Sequence, residues 1–387
     1  MKILHILDFT TPAAGTFVVL KEIIERMNKQ NIDCHVLLLR NDGVGRDELN
    51  DIGATVYYIK NNELLYKNRL IDIIHDMDLF DLVHIHGIYG LKRLLIYRLI
   101  NKFGIPYMIS THGSLMKRGI ESKSKIKKKI YLTLMLRKYI RNASCIHVQS
   151  EIEAIEAKRW GAKRTVIISN GVTILDVEKK YNKSDEIRVL YLGRLDIHMK
   201  GLDSLTYQIK KYINQLNKYN FRLELVGPIL TEEDRIFIEK NILQDKELSE
   251  IITISDPIYD NNKWEKYKDS DVFILPSRSE CGTPLVLLEA MMIGCPCIIT
   301  EESYSDSIIK SSNGGLITNL ENDNLGKTLI EMCEINNEHR KEMGIRAREY
   351  CISKYSWEDI SKIYVDEYRH IIMDGSGYDE KETFTYM

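Results

Sequence analysis

The chain is 387 residues long, room for two domains or one large one, and its 44% hydrophobic and 28% charged residues exclude long disorder and fibrous repeats. With 54 Lys and Arg against 56 Asp and Glu the formal net charge is -2, which excludes a globally basic nucleic-acid binder. Seven cysteines, an odd number thinly spread, exclude a disulfide scaffold and suit a reducing compartment; Cys295-Pro296-Cys297 lacks the second pair a zinc site requires, so no metal is expected.

The apolar start, Met1 to Asp8, is too short for a secretory signal, and no uninterrupted apolar run reaches the roughly 18 residues of a spanning helix. The expectation is a cytoplasmic protein that meets a membrane, if at all, from its surface. Short β-branched runs recur at 3–7, 35–39, 56–59, 82–86, 107–111, 145–149 and 166–169, separated mostly by helix-like segments such as 17–27 and 91–102. That alternation predicts a parallel sheet covered by helices. It pauses over 171–186, polar and without an apolar face, where the linker is expected, and resumes at 189–192, 223–226, 252–255, 272–275 and 297–300. The expected organisation is α/β: two doubly wound, Rossmann-like domains, 1–175 and 188–356, whose strand ends face one cleft, and a Gly/Ser-rich tail, 374–387, that frays.

Chemistry is therefore sought at strand ends. Gly193-Arg194 follows one strand, with Lys200-Gly201 six positions on. A guanidinium fork and a mobile ammonium there suit a diphosphate; the same spacing also suits a surface loop with two solvated cations. A second strand runs into Pro276-Ser277-Arg278-Ser279-Glu280-Cys281-Gly282-Thr283-Pro284-Leu285 and then Leu287-Leu288-Glu289-Ala290. Small turn residues before a helix can bring backbone N–H groups to a phosphate, while Glu280 and Glu289 can accept hydrogen bonds from sugar hydroxyls. A carboxylate at Glu289, among apolar neighbours, requires a partner. His84 and His86 are read as facing opposite sides of their strand, which argues against their sharing a metal, and His198 is given no role.

Residues 117–141 carry ten cations against one acid, Glu121. Ile126, Ile130 and Leu134, and Tyr131, Met135 and Tyr139, recur at helical spacing, predicting an amphipathic helix with a basic face. It is either a core stripe flanked by solvated charges or a surface that docks on an anionic membrane.

Taken together, Gly193-Arg194 through Lys200-Gly201, and Pro276 to Glu280 through Leu287-Leu288-Glu289-Ala290, resemble the nucleotide-sugar-dependent glycosyltransferases of family 4. Asp81-Leu82-Val83-His84-Ile85-His86-Gly87, Ser110-Thr111-His112-Gly113, Asn170-Gly171-Val172, Leu225-Val226-Gly227-Pro228 and Tyr355-Ser356-Trp357-Glu358 extend the resemblance over all but the tail. It implies the GT-B fold, with a final helix, 357–372, crossing back to the first domain. It also implies transfer of a sugar from a nucleoside diphosphate to a hydroxyl, with retention and without an obligatory metal or other cofactor. Arg194 and Lys200 would hold the diphosphate, and His112 would lie beside the reacting carbon. Gly15 would let the backbone approach the donor phosphate or acceptor, and Gly282, Thr283, Pro284, Leu285 and Glu289 would complete the donor site, Glu289 on the ribose. His86 and Thr16 are the acceptor-side candidates. The acceptor implied is a saccharide or lipid-linked saccharide of surface polysaccharide or glycolipid assembly. The implied mechanism is front-face: the acceptor hydroxyl attacks on the leaving-group side and a donor phosphate oxygen takes its proton.

Two departures stand out. Eight residues separate Glu280 from Glu289 where the family usually has seven, which puts Cys281 at the usual position, and the first loop reads Ala13-Ala14-Gly15 where paired glycines are common. A nucleotide-sugar epimerase and a non-catalytic sugar-binding module remain as alternatives on the same architecture. A dinucleotide oxidoreductase does not, since no Gly-x-Gly-x-x-Gly follows a predicted strand.

Overall fold

The computed structural model describes residues 1–8, 14–40, 45–58, 80–117, 120, 125–177, 179, 185–259, 261–280, 282–374 and 383–385. The chain divides into two compact units, Met1–Asn170 with Trp357–Met387, and Gly171–Ser356.

The first unit is built on a parallel sheet of β1 (Lys2–Leu7), β2 (Asp33–Leu38), β3 (Thr55–Tyr58), β4 (Leu82–His86), β5 (Tyr107–Ser110), β6 (Cys145–Val148) and β7 (Thr165–Ile167). Their spatial order is β3-β2-β1-β4-β5-β6-β7, so the chain winds one way from β1 to β3 and the other way from β4. The pleat sorts side chains by parity. Leu4, Ile6, Val83, Ile85, Tyr107, Ile109, Ile146 and Val148 join one aliphatic core with the helices Leu91–Phe103 and Glu151–Arg159. The opposite parity carries His5, His84, His86, Ser110 and His147, all buried.

That polar face is covered by the C-terminal helix Trp357–Met373, which also packs on the helix Gly15–Lys29. Tyr368 reaches the Nδ1 of His84, and the Tyr364 hydroxyl lies 3.1 Å from the Nε2 of His147. On the same helix, the fully buried Glu367 pairs through both carboxylate oxygens with Arg164, one of the two contacts being 2.9 Å. The final helix thus returns to the first unit, as the resemblance implies, held by polar contacts that a wholly aliphatic sheet face would not offer.

The second unit contains β8 (Ile187–Leu192), β9 (Phe221–Val226), β10 (Ile252–Ser255), β11 (Val272–Leu275), β12 (Cys297–Thr300) and β13 (Gly315–Thr318), all parallel, in the order β10-β9-β8-β11-β12-β13. Here both faces are aliphatic. The helix Leu285–Ile293 is apolar all round and buried, as such a sequence requires. Residues 171–177 are not a free linker: Val172 and Leu175 pack with this core, and the Val172 N–H donates to the Tyr355 carbonyl at 2.7 Å. Lys179 then donates to the carbonyl of Tyr267 at 2.8 Å.

Every strand read from the sequence is present to within two residues at either end, residue 59 lying outside the described residues. β13 escaped notice because it is short, half-buried and opened by glycine; a Cβ on Gly315 would stand 1.9 Å from the Cys297 carbonyl oxygen. Of the tail, residues 383–385 are described, and rather than fraying they form an edge strand, β14 (Thr383–Thr385), beside β7.

Glu367→Ala removes the carboxylate that compensates a buried guanidinium and should lower the unfolding free energy by about 3 to 5 kcal/mol. Glu358→Ala removes an exposed carboxylate and leaves Arg26 paired with Glu22 at 2.7 Å, so it should cost less than about 1 kcal/mol. Urea unfolding of both variants checks this; equal losses would mean that the buried pair does not hold the helix.

Candidate functional site

In a doubly wound sheet the loops after the two strands flanking the reversal of order diverge and leave a crevice. In the second unit those strands are β8 and β11, whose loops carry the two motifs singled out from the sequence.

After β8, Gly193 turns with φ of +153° and Arg194 follows, its carbonyl held by the Tyr191 hydroxyl at 2.7 Å. The Arg194 side chain is exposed and has no ion-pair partner among the described residues. The Oδ1 of Asp196 accepts from the Met199 N–H at 3.0 Å, and Lys200 and Gly201 follow. Gly201 is left-handed, with φ of +68°, and a Cβ there would lie 1.9 Å from the Pro276 carbonyl oxygen. A side chain at 201 would therefore force the two loops apart. Arg278 fastens the same junction, its N–H donating to the Met199 carbonyl at 3.0 Å and its guanidinium to Asp203 at 2.6 Å.

The close approach sets Lys200 against Glu280 in a mostly buried ion pair, and Ser277 donates to the same carboxylate oxygen. Two residues assigned separately from the sequence, one to phosphate and one to sugar, thus neutralise each other. Glu289 has the partners its burial demands: Lys263 at 2.6 Å and the Tyr267 hydroxyl at 3.0 Å. No motif marks Lys263, which the sequence reading missed. Gly282 has φ of +109°, Thr283 is buried, and Pro284 caps the helix that Leu285 opens. The N–H groups of Leu285 and Val286, in its first turn, lack intrahelical acceptors and suit an anion. Cys281 lies outside the described residues.

In the first unit the order reverses between β1 and β4. Gly15 and Thr16 are not in the loop after β1 but are the first two residues of the helix Gly15–Lys29. Gly15 therefore has helical backbone, and what it offers a ligand is its N–H and its lack of a side chain; residues 9–13 lie outside the described residues. His86 ends β4. His112, after β5, is half-buried with φ of +46°, an uncommon backbone for a residue other than glycine. Buried Glu153 holds that turn, accepting from the Thr111 hydroxyl, from Gly113 N–H at 2.6 Å and from Gln149 N–H at 2.9 Å. Burial raises the Glu153 pKa and these hydrogen bonds oppose the rise. Glu153 was also missed, although Ser150-x-x-Glu153 is the pattern of a capping box, and the Ser150 oxygen does accept from the Glu153 N–H at 3.3 Å.

The reading that His84 and His86 face opposite sides is wrong. Residues two apart on a strand share a face, and their ring centroids are 4.1 Å apart. With His5 of β1 they place ring nitrogens within 4.8 Å of one another, close enough to ligate one cation. The nitrogens of His84 are spent instead on Tyr368 and, at 2.6 Å, on Ser110. His198 is exposed beside Asp203, 3.6 Å away.

Residues 174–350 match the family model described as glycosyl transferases group 1, and residues 13–174 the model described as glycosyltransferase family 4. The chain is 23% identical over 338 residues to the putative glycosyltransferase EpsF of Bacillus subtilis, spanning 81% of this chain and 82% of that one. It is 26% identical over 259 residues to the Escherichia coli UDP-Gal:alpha-D-GlcNAc-diphosphoundecaprenol alpha-1,3-galactosyltransferase, spanning 62% and 63% of the two chains. Among solved structures, Anabaena HepE in complex with UDP-glucose superposes with a TM-score of 0.77 at 17% identity, over 96% of this chain and 100% of that one.

Gly201→Ala should cost more stability than Gly104→Ala, because both glycines have φ of +68° but a Cβ at Gly104 meets nothing within 4 Å. The Gly104 change should cost only the backbone strain, about 1 to 2 kcal/mol. Urea midpoints compare the two, and equal costs would show that the approach of the two loops is not constrained.

Proposed function

This chain belongs to glycosyltransferase family 4 and has its GT-B fold, and we propose that it moves a sugar from a nucleoside diphosphate to a hydroxyl of a saccharide or lipid-linked saccharide in surface polysaccharide or glycolipid assembly. The observation that carries this reading is the pairing of Lys200 with Glu280 beside the exposed Arg194, at the crevice between β8 and β11. A diphosphate entering there finds a guanidinium without a competing carboxylate and draws Lys200 from Glu280. The freed carboxylate is then available to the hydroxyls of the sugar. Both cations offset the charge that grows on the leaving diphosphate as the glycosidic bond breaks. The N–H groups that open the Leu285–Ile293 helix add to that field, and Glu289, held in place by Lys263 and Tyr267, accepts from the ribose. Retention follows from attack on the leaving-group face, the acceptor proton passing to a donor phosphate oxygen. UDP is the first nucleotide to test, since HepE was solved with UDP-glucose and the E. coli relative is described as a UDP-Gal enzyme.

The acceptor class draws support from the basic segment. The helix Lys125–Tyr131 runs through a wider π-helical turn, Leu132–Leu136, into Arg137–Asn142, and Leu132, Leu136 and Ile140 are its core-facing residues. Ile126, Ile130 and Leu134 are not a core stripe, being 74%, 51% and 76% exposed. They stand with the exposed cations Lys127, Lys129, Lys138 and Arg141, and the Tyr131 hydroxyl ties this helix to Gly90, next to Leu91, itself 73% exposed. Apolar residues among cations fit the interface of an anionic membrane, where each cation contributes about 1 kcal/mol. No helix among the described residues is long and apolar enough to cross a membrane. Arg118, Glu121 and Lys123 lie outside the described residues.

Thermal unfolding with UDP, GDP and ADP in turn tests the donor site. One nucleotide at 100 times its Kd should stabilise the protein by about 2.7 kcal/mol, and Arg194→Ala should lose most of that shift. No shift with any of them would favour the sugar-binding module. Flotation with anionic liposomes tests docking: Ile130→Glu with Leu134→Glu should abolish binding, and replacing Lys127 and Lys129 by Gln should weaken it most at low salt. Unchanged binding in both variants would exclude this surface.

A further inference from the structure

His112 does not stand alone. Its Nε2 lies 3.3 Å from the Nδ1 of His86, and the Nε2 of His86 lies 3.2 Å from the Nδ1 of His5. The ring planes are inclined by only 21° and 26°, with centroids 5.6 and 5.5 Å apart, room for rings strung nitrogen to nitrogen rather than stacked face to face. Burial holds His5 and His112 neutral, their pKa values lowered to about 3, and lowers that of His86 well below the ordinary value.

A neutral imidazole has one N–H and one lone pair, so a chain of three admits two directions. If the protons point toward His5, its Nε2 must carry an N–H, and that atom is buried with no hydrogen-bond partner. An orphaned buried N–H is the rarer state; a bare acceptor is better tolerated. His84, the neighbouring ring, cannot relieve it, because both of its nitrogens are committed in a second chain. The Ile168 carbonyl only accepts, so the Nε2 of His147, 2.9 Å away, donates to it. The Nδ1 of His147 then accepts from Ser110 at 2.6 Å, the Ser110 oxygen accepts from the Nε2 of His84, and the Nδ1 of His84 accepts from Tyr368. Arg93 adds a fixed positive charge, donating to the carbonyl of His86 while paired with Asp8 at 2.7 Å, which disfavours a further proton on this chain.

We propose that His5 and His86 are positioning residues that lock neutral His112 in the tautomer with the proton on Nδ1. The His5 Nδ1–H donates to His86, the His86 Nδ1–H donates to the Nε2 of His112, and the free nitrogen of His112 is left as a donor. Among the described residues that Nδ1 has no hydrogen-bond partner. The consequence for catalysis rests on the function proposed above: His112 can donate to a sugar hydroxyl or phosphate oxygen, but neither of its nitrogens is free to take the proton of an attacking hydroxyl. The proton must then go to a group other than His112, as in the transfer to a donor phosphate oxygen proposed above.

Long-range 1H–15N correlation on protein carrying 15N-histidine separates protonated from bare ring nitrogens, and the His112 signals are assigned from their absence in His112→Gln. In the wild type, Nδ1 of His112 should be protonated and Nε2 bare. In His86→Phe, and in His5→Phe, which frees His86 to reverse, the His112 population should move to the Nε2–H tautomer that histidine intrinsically prefers. A wild type already in the Nε2–H form overturns the proposal without any variant. So does a protonated Nδ1 that persists in either folded variant. The measurement uses neither donor nor acceptor, so its failure would leave the nucleotide-binding result standing.

Discussion

A parallel sheet delivers every strand's following loop to the same edge, and a reversal of strand order parts two of those loops. Both units of this protein obey that constraint, and the candidate residues follow it. In the second unit Arg194 and Lys200 follow β8, and Glu280 follows β11. In the first, Gly15 and Thr16 follow β1 and His86 ends β4. Gly201 converts the topology into a site, because only a residue without a Cβ lets the first loop reach the Pro276 carbonyl and so sets Lys200 against Glu280.

Buried charge is the recurring cost, and the protein meets it locally. Glu280 is offset by Lys200, Glu289 by Lys263, and Glu367 by Arg164, while Glu153 is held by backbone and hydroxyl donors. These arrangements do different work. The Arg164–Glu367 pair is almost wholly buried and anchors a helix. The Lys200–Glu280 pair stands at a crevice, where, on the function proposed above, an incoming polyanion takes over one half of it.

The histidine face of the first sheet serves packing, and on the proposal above it also sets the tautomer of His112. Its nitrogens and the hydroxyls of Tyr364 and Tyr368 seat the final helix, and along the same face a run of neutral rings leads out to His112. Low pKa values, a consequence of burial, make that run a set of fixed donors and acceptors rather than a group of charges.

The sequence by itself determined all of the strands but β13 and β14, the winding of two sheets and the loops that matter, because β-branched runs, glycine turns and capping patterns are encoded by neighbours in the chain. Even the sharing of a face by His84 and His86 was contained in the period of two, though first read the wrong way. The capping box at Ser150 and Glu153 was equally legible. What only the tertiary structure decided is partnership: Lys263 with Glu289, Glu280 with Lys200, His5 with His86, and the exposure rather than burial of Ile126, Ile130 and Leu134. Each joins or separates residues distant in sequence, and a buried charge or ring dictates that it must find a partner without dictating which one.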